Sequence, residues 1–538
     1  MLEILRINTA EDVFLQVCEM ATGLLAIGIE KGDRVGMWGQ NYYEWMVIQY
    51  STALCGIIQV NINPFYKAPE LEYALRKVGV KALVTPKAHK QNKFYDVLAE
   101  VLPSITTGKA GLGTVESSKL PDLKHILVFG EKEKLPGAWQ FDEIWKAGGT
   151  YELSMLDEVR SHVLPEDPVN IQYTSGTTGL PKAATLSHFN IINNSFLIGL
   201  TSGWHEENHR ICIPNPLYHC FGCVIGALNA LNHNQTCVFP SISYDTKAIL
   251  ESISKEKCTF IFGTPTMFID LLSTPFLKTA DISSLRGGYI AGAPCPLSLC
   301  KQMVDHLNMN DIYVLYGTTE LSPGVSMSVQ RDEPEERIKS VGHVLPSTEV
   351  VIVDNNNRVV PRGEKGELWA RGYMTMSGYW GDEEKTKKEI TPQNWYKTGD
   401  TAIMNENGTI NIIGRNKDMI VKGGENVYPT EIETAMFKFP YIADVQIVGV
   451  PDERYGENIC GWVRLKEQYV GKVNEDHIKE DCKKAMAYYK VPKYLFIKEQ
   501  KDFPLTATGK VKKFELRSIS KSLLGLENSG PHFSSAHI

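Results

Sequence analysis

The sequence predicts an α/β protein: a large N-terminal domain of parallel-type α/β units with a small β-barrel-like unit, followed by a small α+β C-terminal domain. Three observations predict it. Apolar, β-rich runs recur at 81–85, 125–129, 169–173, 235–239, 258–262, 286–290 and 311–315 with longer helix-compatible stretches between them, the spacing of parallel strands joined by helical crossovers. From about 347 the segments VVIVD, GELWARG, DTAIM and GTINIIG follow one another by close turns, which leaves most of them no crossover helix and reads as an antiparallel barrel-like or meander unit. After Gly414 come a strand-like VQIVGV, a second strand CGWVRLK, a helix around 474–489 and a strand at Tyr494–Lys498, a unit of common domain size.

In chain order, Val13, Phe14, Val17, Met20, Leu24 and Leu25 form a helical stripe over about 11–30 that stops near Gly28 and Gly32. The strand Arg34–Trp38 follows, and the alternation then continues to the antiparallel unit. The expected boundaries are 1–414 for the large domain, 415–520 for the small one and 521–538 for a flexible polar tail.

Composition narrows the function. The chain has 538 residues, 43% of them apolar and 22% charged, an ordinary globular mixture. Its formal charge of −7 gives no general attraction to phosphate backbones, so nucleic acid is not expected as the main partner. The 11 cysteines are odd in number and lack the spacing of a secreted disulfide framework, so they read as reduced thiols inside a cell. No apolar run reaches about 18 residues, so no transmembrane segment is expected. The start, MLEILRINTAEDVFLQ, has early acidic residues and a single Arg, unlike a secretory signal or an Arg-rich presequence.

The sharpest local signal follows the strand VNIQY: Thr174, Ser175, Gly176, Thr177, Thr178, Gly179, Leu180, Pro181 and Lys182. Hydroxyls, two glycines and a lysine on one loop suit a phosphate cradle, because O–H and N–H donors converge and glycine lets the backbone approach. Pro181 stands where a Walker A loop needs its second glycine and Ala183 where it needs Ser or Thr, so a conventional P-loop is disfavoured. No GxGxxG fingerprint occurs either.

Further segments follow in order: PLYHCFG at 216–222, YGTTE at 316–320, YKTGD at 396–400, GRNKD at 414–418 and PLTATGK at 504–510. With the loop, they resemble the adenylate-forming superfamily of acyl-CoA synthetases, peptide adenylation domains and luciferases over about residues 11–520. ELEYALRKVG, ATLSHFNIINNS, GTPTMF, RGYMTMSGYWGDEEKT and KDMIVKGGENVYP resemble, within that superfamily, the medium-chain fatty acyl-CoA ligase type. The resemblance implies a large domain with two parallel-type α/β subdomains and a mobile C-terminal domain. It also implies a two-step reaction: a carboxylate attacks the α-phosphate of ATP with release of pyrophosphate, and the CoA thiol then displaces AMP. Fatty acid, ATP and CoA are the implied partners and Mg²⁺ the implied cofactor. The implied compartment is the mitochondrion.

The same resemblance implies the site. Thr174 to Lys182 would embrace the β- and γ-phosphates, Tyr316 would stack on adenine, Thr319 would touch the α-phosphate and Glu320 would hold Mg²⁺. Asp400 would accept the ribose hydroxyls, Arg415 would add a ribose or phosphate contact, and Lys510 would bridge the attacking carboxylate and the α-phosphate. Lys417 matches a hinge whose rotation exchanges Lys510 for a CoA-facing surface at Gly423 and Gly424, and His219 shapes the acyl and CoA route. Phe221, Val224, the 263–268 segment and Ile290 to Pro294 are tunnel candidates; Cys220, Cys223 and Cys295 are not assigned as nucleophiles. Two departures raise an alternative, an impaired ATP- or acyl-adenylate-binding protein. Ala183 replaces a usual glycine, and the chain begins close to the first helix.

Overall fold

The computed structural model describes residues 9–174, 181–293, 295–506 and 509–526. The first helix, Ala10–Ala26, is capped by Thr9, whose hydroxyl accepts from the Asp12 N–H at 3.1 Å. Its buried face, including Met20, Leu24 and Leu25, lies against an eight-stranded sheet. Six strands of that sheet are parallel, in the order Pro168–Thr174, Ile58–Ile62, Arg34–Trp38, Ala82–Pro86, His125–Phe129 and Trp139–Gln140. Lys182–Ser187 and Gly378–Tyr379 extend the Pro168 edge antiparallel. Helices cover both faces, so Ala82–Pro86 is buried at every position, as its unbroken apolar run requires.

Two strands escape the sequence pattern. Ile58–Ile62 reads IQVNI, and its polar positions suggest a surface; Gln59 and Asn61 are nonetheless buried, with the Gln59 amide donating to Asn61 Oδ1 at 2.8 Å. Lys182–Ser187 falls where a loop is expected, because only pairing with Pro168–Thr174 makes it a strand.

A seven-stranded sheet repeats the theme. Thr236–Val238, Arg210–Cys212, Phe260–Gly263, Gly287–Ala291 and Asp311–Gly317 are parallel neighbours in that order, and Gly324–Met327 and His343–Val344 continue it antiparallel. The segment Phe221–Leu228 is wound as a π-helix and buried throughout. Cys220, Cys223 and Val224 pack with the first sheet's core, while Phe221 and Ile225 pack with the second's. Trp204 anchors that second core, 1% exposed and stacked on Phe262 and Tyr289 at ring distances of 5.8 and 5.3 Å. Trp204→Ala is expected to cost about 3–5 kcal/mol, read as a fall in the urea midpoint of the transition that includes this sheet.

Of the barrel and meander forms, the third unit takes the meander: Thr348–Val353, Lys365–Gly372, Tyr396–Met404 and Ile410–Arg415 pair consecutively and antiparallel. The last sheet joins Glu425–Val427, Ile420–Lys422, Gly456–Leu465 and Ile442–Asp452, with Tyr494–Ile497 parallel to Gly456–Leu465. The expected helix at 474–489 is shorter, Glu475–Ala485; Met486 turns extended and Tyr488–Lys490 forms a 3₁₀ turn ahead of Pro492. This sheet docks on the second one's helices, where Arg464 approaches Asp270 at 3.6 Å.

Candidate active site

Parallel strands release their loops on one side of a sheet, so Pro168–Thr174 and Asp311–Gly317 deliver their ends to a shared cleft. There the Thr174 hydroxyl donates to Glu320 Oε1 at 3.1 Å. Glu320 sits on the 3₁₀ turn Thr319–Leu321 and is 7% exposed. The Tyr379 hydroxyl reaches the same oxygen at 3.0 Å, and Cys220 Sγ lies 3.6 Å from the Thr319 hydroxyl. The PLYHCFG and YGTTE segments therefore meet.

Asp400 and Arg415 face each other across the antiparallel pair of Tyr396–Met404 and Ile410–Arg415. Arg415 Nε lies 3.2 Å from Asp400 Oδ1, and the Tyr316 hydroxyl donates to Oδ2 at 2.7 Å. Burial, with the Asp400 charge beside it, raises the Tyr316 pKa, so the phenol keeps its proton. Lys417 lies on the short turn Asn416–Asp418 just past Arg415, and partial enclosure and Arg415 lower its pKa.

Lys510 arrives from the C-terminal sheet's side of the cleft. Its loop is closed by the Leu505–Val511 bridge and by the Lys510 N–H donating to the Thr506 hydroxyl at 3.0 Å. Gly509 turns with φ 75°, and a Cβ there would lie 3.5 Å from Thr264 Oγ1, which places the loop on the GTPTMF segment of the large domain. Lys510 is exposed as a whole residue, yet protein surrounds its ammonium closely. That desolvation, with Arg415 next, brings its pKa down to about 8, against the pull of Asp400 and Asp418. Desolvation and the Lys510 charge together push His219 down to about 4. His219 is therefore neutral near pH 7; its Nδ1 accepts from the Phe221 N–H at 3.1 Å, which leaves the proton on Nε2.

Lys182 opens the strand Lys182–Ser187 and is held by residues that sequence reasoning missed. Its ammonium donates to both Glu389 oxygens, at 2.9 and 3.1 Å, and to the Tyr379 hydroxyl at 3.2 Å. Both residues fall in or just after RGYMTMSGYWGDEEKT, a stretch that carried the resemblance without a role; no local pattern marks them. Ala183 lies inside the strand opposite Tyr173, fully buried, and its carbonyl accepts from Trp380 at 2.8 Å. The extended strand backbone does not need glycine here and accommodates alanine. Pro181 accepts the Tyr73 hydroxyl at 3.0 Å; Ser175, Gly176, Thr177, Thr178, Gly179 and Leu180 lie outside the described residues.

Gly423 and Gly424 form the two-residue turn between Ile420–Lys422 and Glu425–Val427, both with positive φ, and the Gly423 N–H donates to the Tyr455 carbonyl at 2.8 Å. They belong to a hairpin of the C-terminal sheet. Phe221, Val224, Phe268 and Ile290 are all buried core; Pro294 lies outside the described residues. Cys220 and Cys223 form a C-x-x-C pair, missed when the cysteines are read as a scattered set. Burial pushes Cys220 up to about 12 and Cys223 higher still, while the Cys300 thiol beside Cys295 and burial raise Cys295 too. None is a ready thiolate.

Among the described residues no three His, Cys, Asp or Glu side chains gather as a metal cage. One buried carboxylate, Glu320, ringed by hydroxyls, fits a hard cation such as Mg²⁺ that brings phosphate and water ligands with it. Nor is any helix among the described residues long and apolar enough to cross a membrane.

Comparison with known proteins agrees with this architecture. The family model described as AMP-binding enzyme matches residues 6–380, and that described as AMP-binding enzyme C-terminal domain matches 431–510. The medium-chain acyl-CoA ligase ACSF2, mitochondrial, of Danio rerio is 44% identical over 96% of this chain and 85% of its own length. The human protein of the same name is 44% identical over 95% of this chain and 83% of its own length, and the putative acyl-CoA synthetase YngI of Bacillus subtilis is 38% identical over 95% and 92%. Among solved structures, the anthranilate CoA ligase AuaEII in complex with anthranoyl-AMP superposes with a TM-score of 0.81 at 26% identity, covering 96% of this chain and 93% of that one. ATP-bound MatB from Rhodopseudomonas palustris superposes at 0.78 over 95% and 93%, with 24% identity. Sequence and fold together make this chain a member of the AMP-binding enzyme family.

Proposed function

We propose that this protein is an acid–thiol ligase that activates a medium-chain fatty acid to its CoA thioester through an acyl-adenylate, using ATP with Mg²⁺ and releasing AMP and pyrophosphate. The observation that carries this reading is the position of Lys510, brought from the C-terminal unit into the cleft beside Asp400, Arg415 and His219. Its ammonium can neutralise an attacking carboxylate and an α-phosphate oxygen at once. The names borne by the relatives support the acid's class and a mitochondrial location.

In the first step a carboxylate oxygen bonds to the α-phosphorus and the bond to the β-phosphate's bridging oxygen breaks. Positioning and charge neutralisation do most of the work in such a transfer. Lys510 would lie over the reacting oxygens and the Thr319 hydroxyl would donate to the α-phosphate. Asp400 has four lone-pair sites, enough to accept ribose hydroxyls beside its present partners. Glu320 would hold Mg²⁺, which when bound supplies positive charge to the phosphate oxygens. In the second step the CoA sulfur attacks the acyl carbonyl and AMP leaves. A rotation at Lys417, at the join of domains 1–414 and 415–520, withdraws Lys510 and turns the Gly423–Gly424 hairpin toward the cleft. Neutral His219, with its proton on Nε2, lines the route and can donate a hydrogen bond there.

The alternative of a binding protein without turnover is not supported: Ala183 is accommodated in its strand, and relatives named as ligases align over 95–96% of the chain. Acid-dependent exchange of labelled pyrophosphate into ATP, without CoA, across straight-chain acids from C4 to C16 tests the proposal. Exchange peaking near C8 is expected, and no exchange in folded protein would refute it.

The pH profile follows from Lys510. The ammonium is the active form and its pKa lies at about 8, so kcat/KM for ATP in the exchange assay should fall as pH rises through about 8. Lys510→Arg, whose guanidinium keeps its proton, should remove that limb. A limb that survives in the arginine variant would assign it elsewhere.

A further inference from the structure

Lys182 has three N–H donors and three acceptors within reach: the two Glu389 oxygens, at 2.9 and 3.1 Å, and the Tyr379 hydroxyl at 3.2 Å. Its Nζ also lies 4.9 Å from the centre of the Tyr379 ring. The pair is sheltered, with side chains only 16% and 18% exposed, so water does little to loosen it. A lysine bound in this way has nothing to offer a phosphate until a partner lets go. The two carboxylate oxygens and the phenol surround the ammonium much as phosphate oxygens would.

We propose that Glu389 is a placeholder anion: it occupies Lys182 while the site is empty, the ATP triphosphate displaces it, and the exchange sets the protein's affinity for ATP. The proposal rests on the reading of Lys182 as a β/γ-phosphate ligand and adds Glu389 as a positioning residue that does not touch substrate.

The surroundings favour exchange over permanent pairing. Glu389 ends the short helix Glu383–Glu389, and Lys385, one turn earlier on that helix, lies 3.1 Å from its Oε1. When Lys182 turns to a phosphate, Glu389 keeps Lys385 and the Tyr379 hydroxyl and is not left as an uncompensated buried charge, the usual penalty for opening such a pair. Burial alone would raise the Glu389 pKa; Tyr379, Lys182 and Lys385 outweigh it and hold the carboxyl below its ordinary value, so the placeholder is charged at neutral pH. The same three partners take up its oxygens, which sets it apart from Glu320 as a cation ligand.

The placeholder works against ATP, so removing it should tighten binding. The test is calorimetric titration of the full-length protein with ATP and MgCl₂, fatty acid and CoA omitted, for the wild type, Glu389→Gln, Lys182→Ala and the double variant, with AMP as the control ligand. Glu389→Gln should bind ATP about threefold to tenfold more tightly, the scale of one sheltered ion pair. AMP, which lacks the β- and γ-phosphates, should bind as before. KM for ATP should fall by the same factor with kcat nearly constant, a split that general loosening of the site would not give. Lys182→Ala should weaken ATP binding, and in that background Glu389→Gln should have no further effect. Weaker ATP binding by Glu389→Gln, an equal change for AMP, or a gain that persists without Lys182 would overturn the placeholder. ATP binding indifferent to Lys182→Ala would instead overturn the phosphate-ligand reading on which it rests. Glu389→Ala gives the same readout should the glutamine variant fold poorly.

Discussion

Lys510→Ala is expected to lower acid-dependent pyrophosphate exchange by about 10²- to 10³-fold, the usual effect of deleting one preorganised charge or donor aimed at developing charge. The same variant, given synthetic acyl-adenylate and CoA, should form thioester within about threefold of the wild-type rate, because a group used in only one step costs only that step. The loop that carries Lys510 is held by its own backbone, through the Leu505–Val511 bridge and the Thr506 hydroxyl, so trimming the side chain leaves its course intact. Losing both half-reactions equally would show that Lys510 supports the fold of the cleft and would remove it from the adenylation step. Loss of exchange alone would also separate two arrangements of the C-terminal unit, since only the first needs this lysine over the α-phosphate.

Glu320→Gln is the second large effect. Glutamine keeps a carbonyl oxygen that can still accept from Thr174, while the Tyr379 proton goes to the closer Glu389 oxygen, so the buried network survives while the negative charge is lost. Exchange should fall by about 10²-fold or more, and the Mg²⁺ concentration for half-maximal rate should rise, as expected when a carboxylate proposed to hold the cation goes. Thermal stability should move by only a few degrees. An unchanged Mg²⁺ requirement with a lowered rate would assign Glu320 to holding Thr174 and Tyr379 in place and would move the cation elsewhere.

Both experiments bear on residues found through short motifs, and the structure explains what those motifs can and cannot carry. YGTTE marks the end of a parallel strand, where the sheet must expose its loop, so Glu320 is fixed by local sequence and strand direction together; YKTGD instead opens the antiparallel strand Tyr396–Met404, and Asp400 lies within it. The partner of Asp400 depends on register: Arg415 faces it only because the pairing slips between Thr401 and Ala402. The loop lysine is the opposite case. Its hydroxyl- and glycine-rich setting is plain in the sequence, but its present partner, Glu389, is 207 positions away and lies on a short polar helix with nothing to distinguish it. Tyr379 is equally silent, one tyrosine among 23 until the strand Gly378–Tyr379 sets it beside Glu320.

By itself, then, the sequence determined the parallel strands with their crossovers, the antiparallel unit, the small C-terminal domain and the motif residues that converge on the cleft, because apolar periodicity and short-range chemistry are written in consecutive residues. It did not reveal the strands Ile58–Ile62 and Lys182–Ser187, whose polar or loop-like composition is overruled by burial between neighbours. Only the tertiary structure decided which charges meet: Lys182 with Glu389, Asp400 with Arg415 and Tyr316, and Lys510 near His219. The reason is physical. An ion pair and a shifted pKa depend on distance and on exclusion of water, and both are set by how sheets and helices pack rather than by the order of the residues.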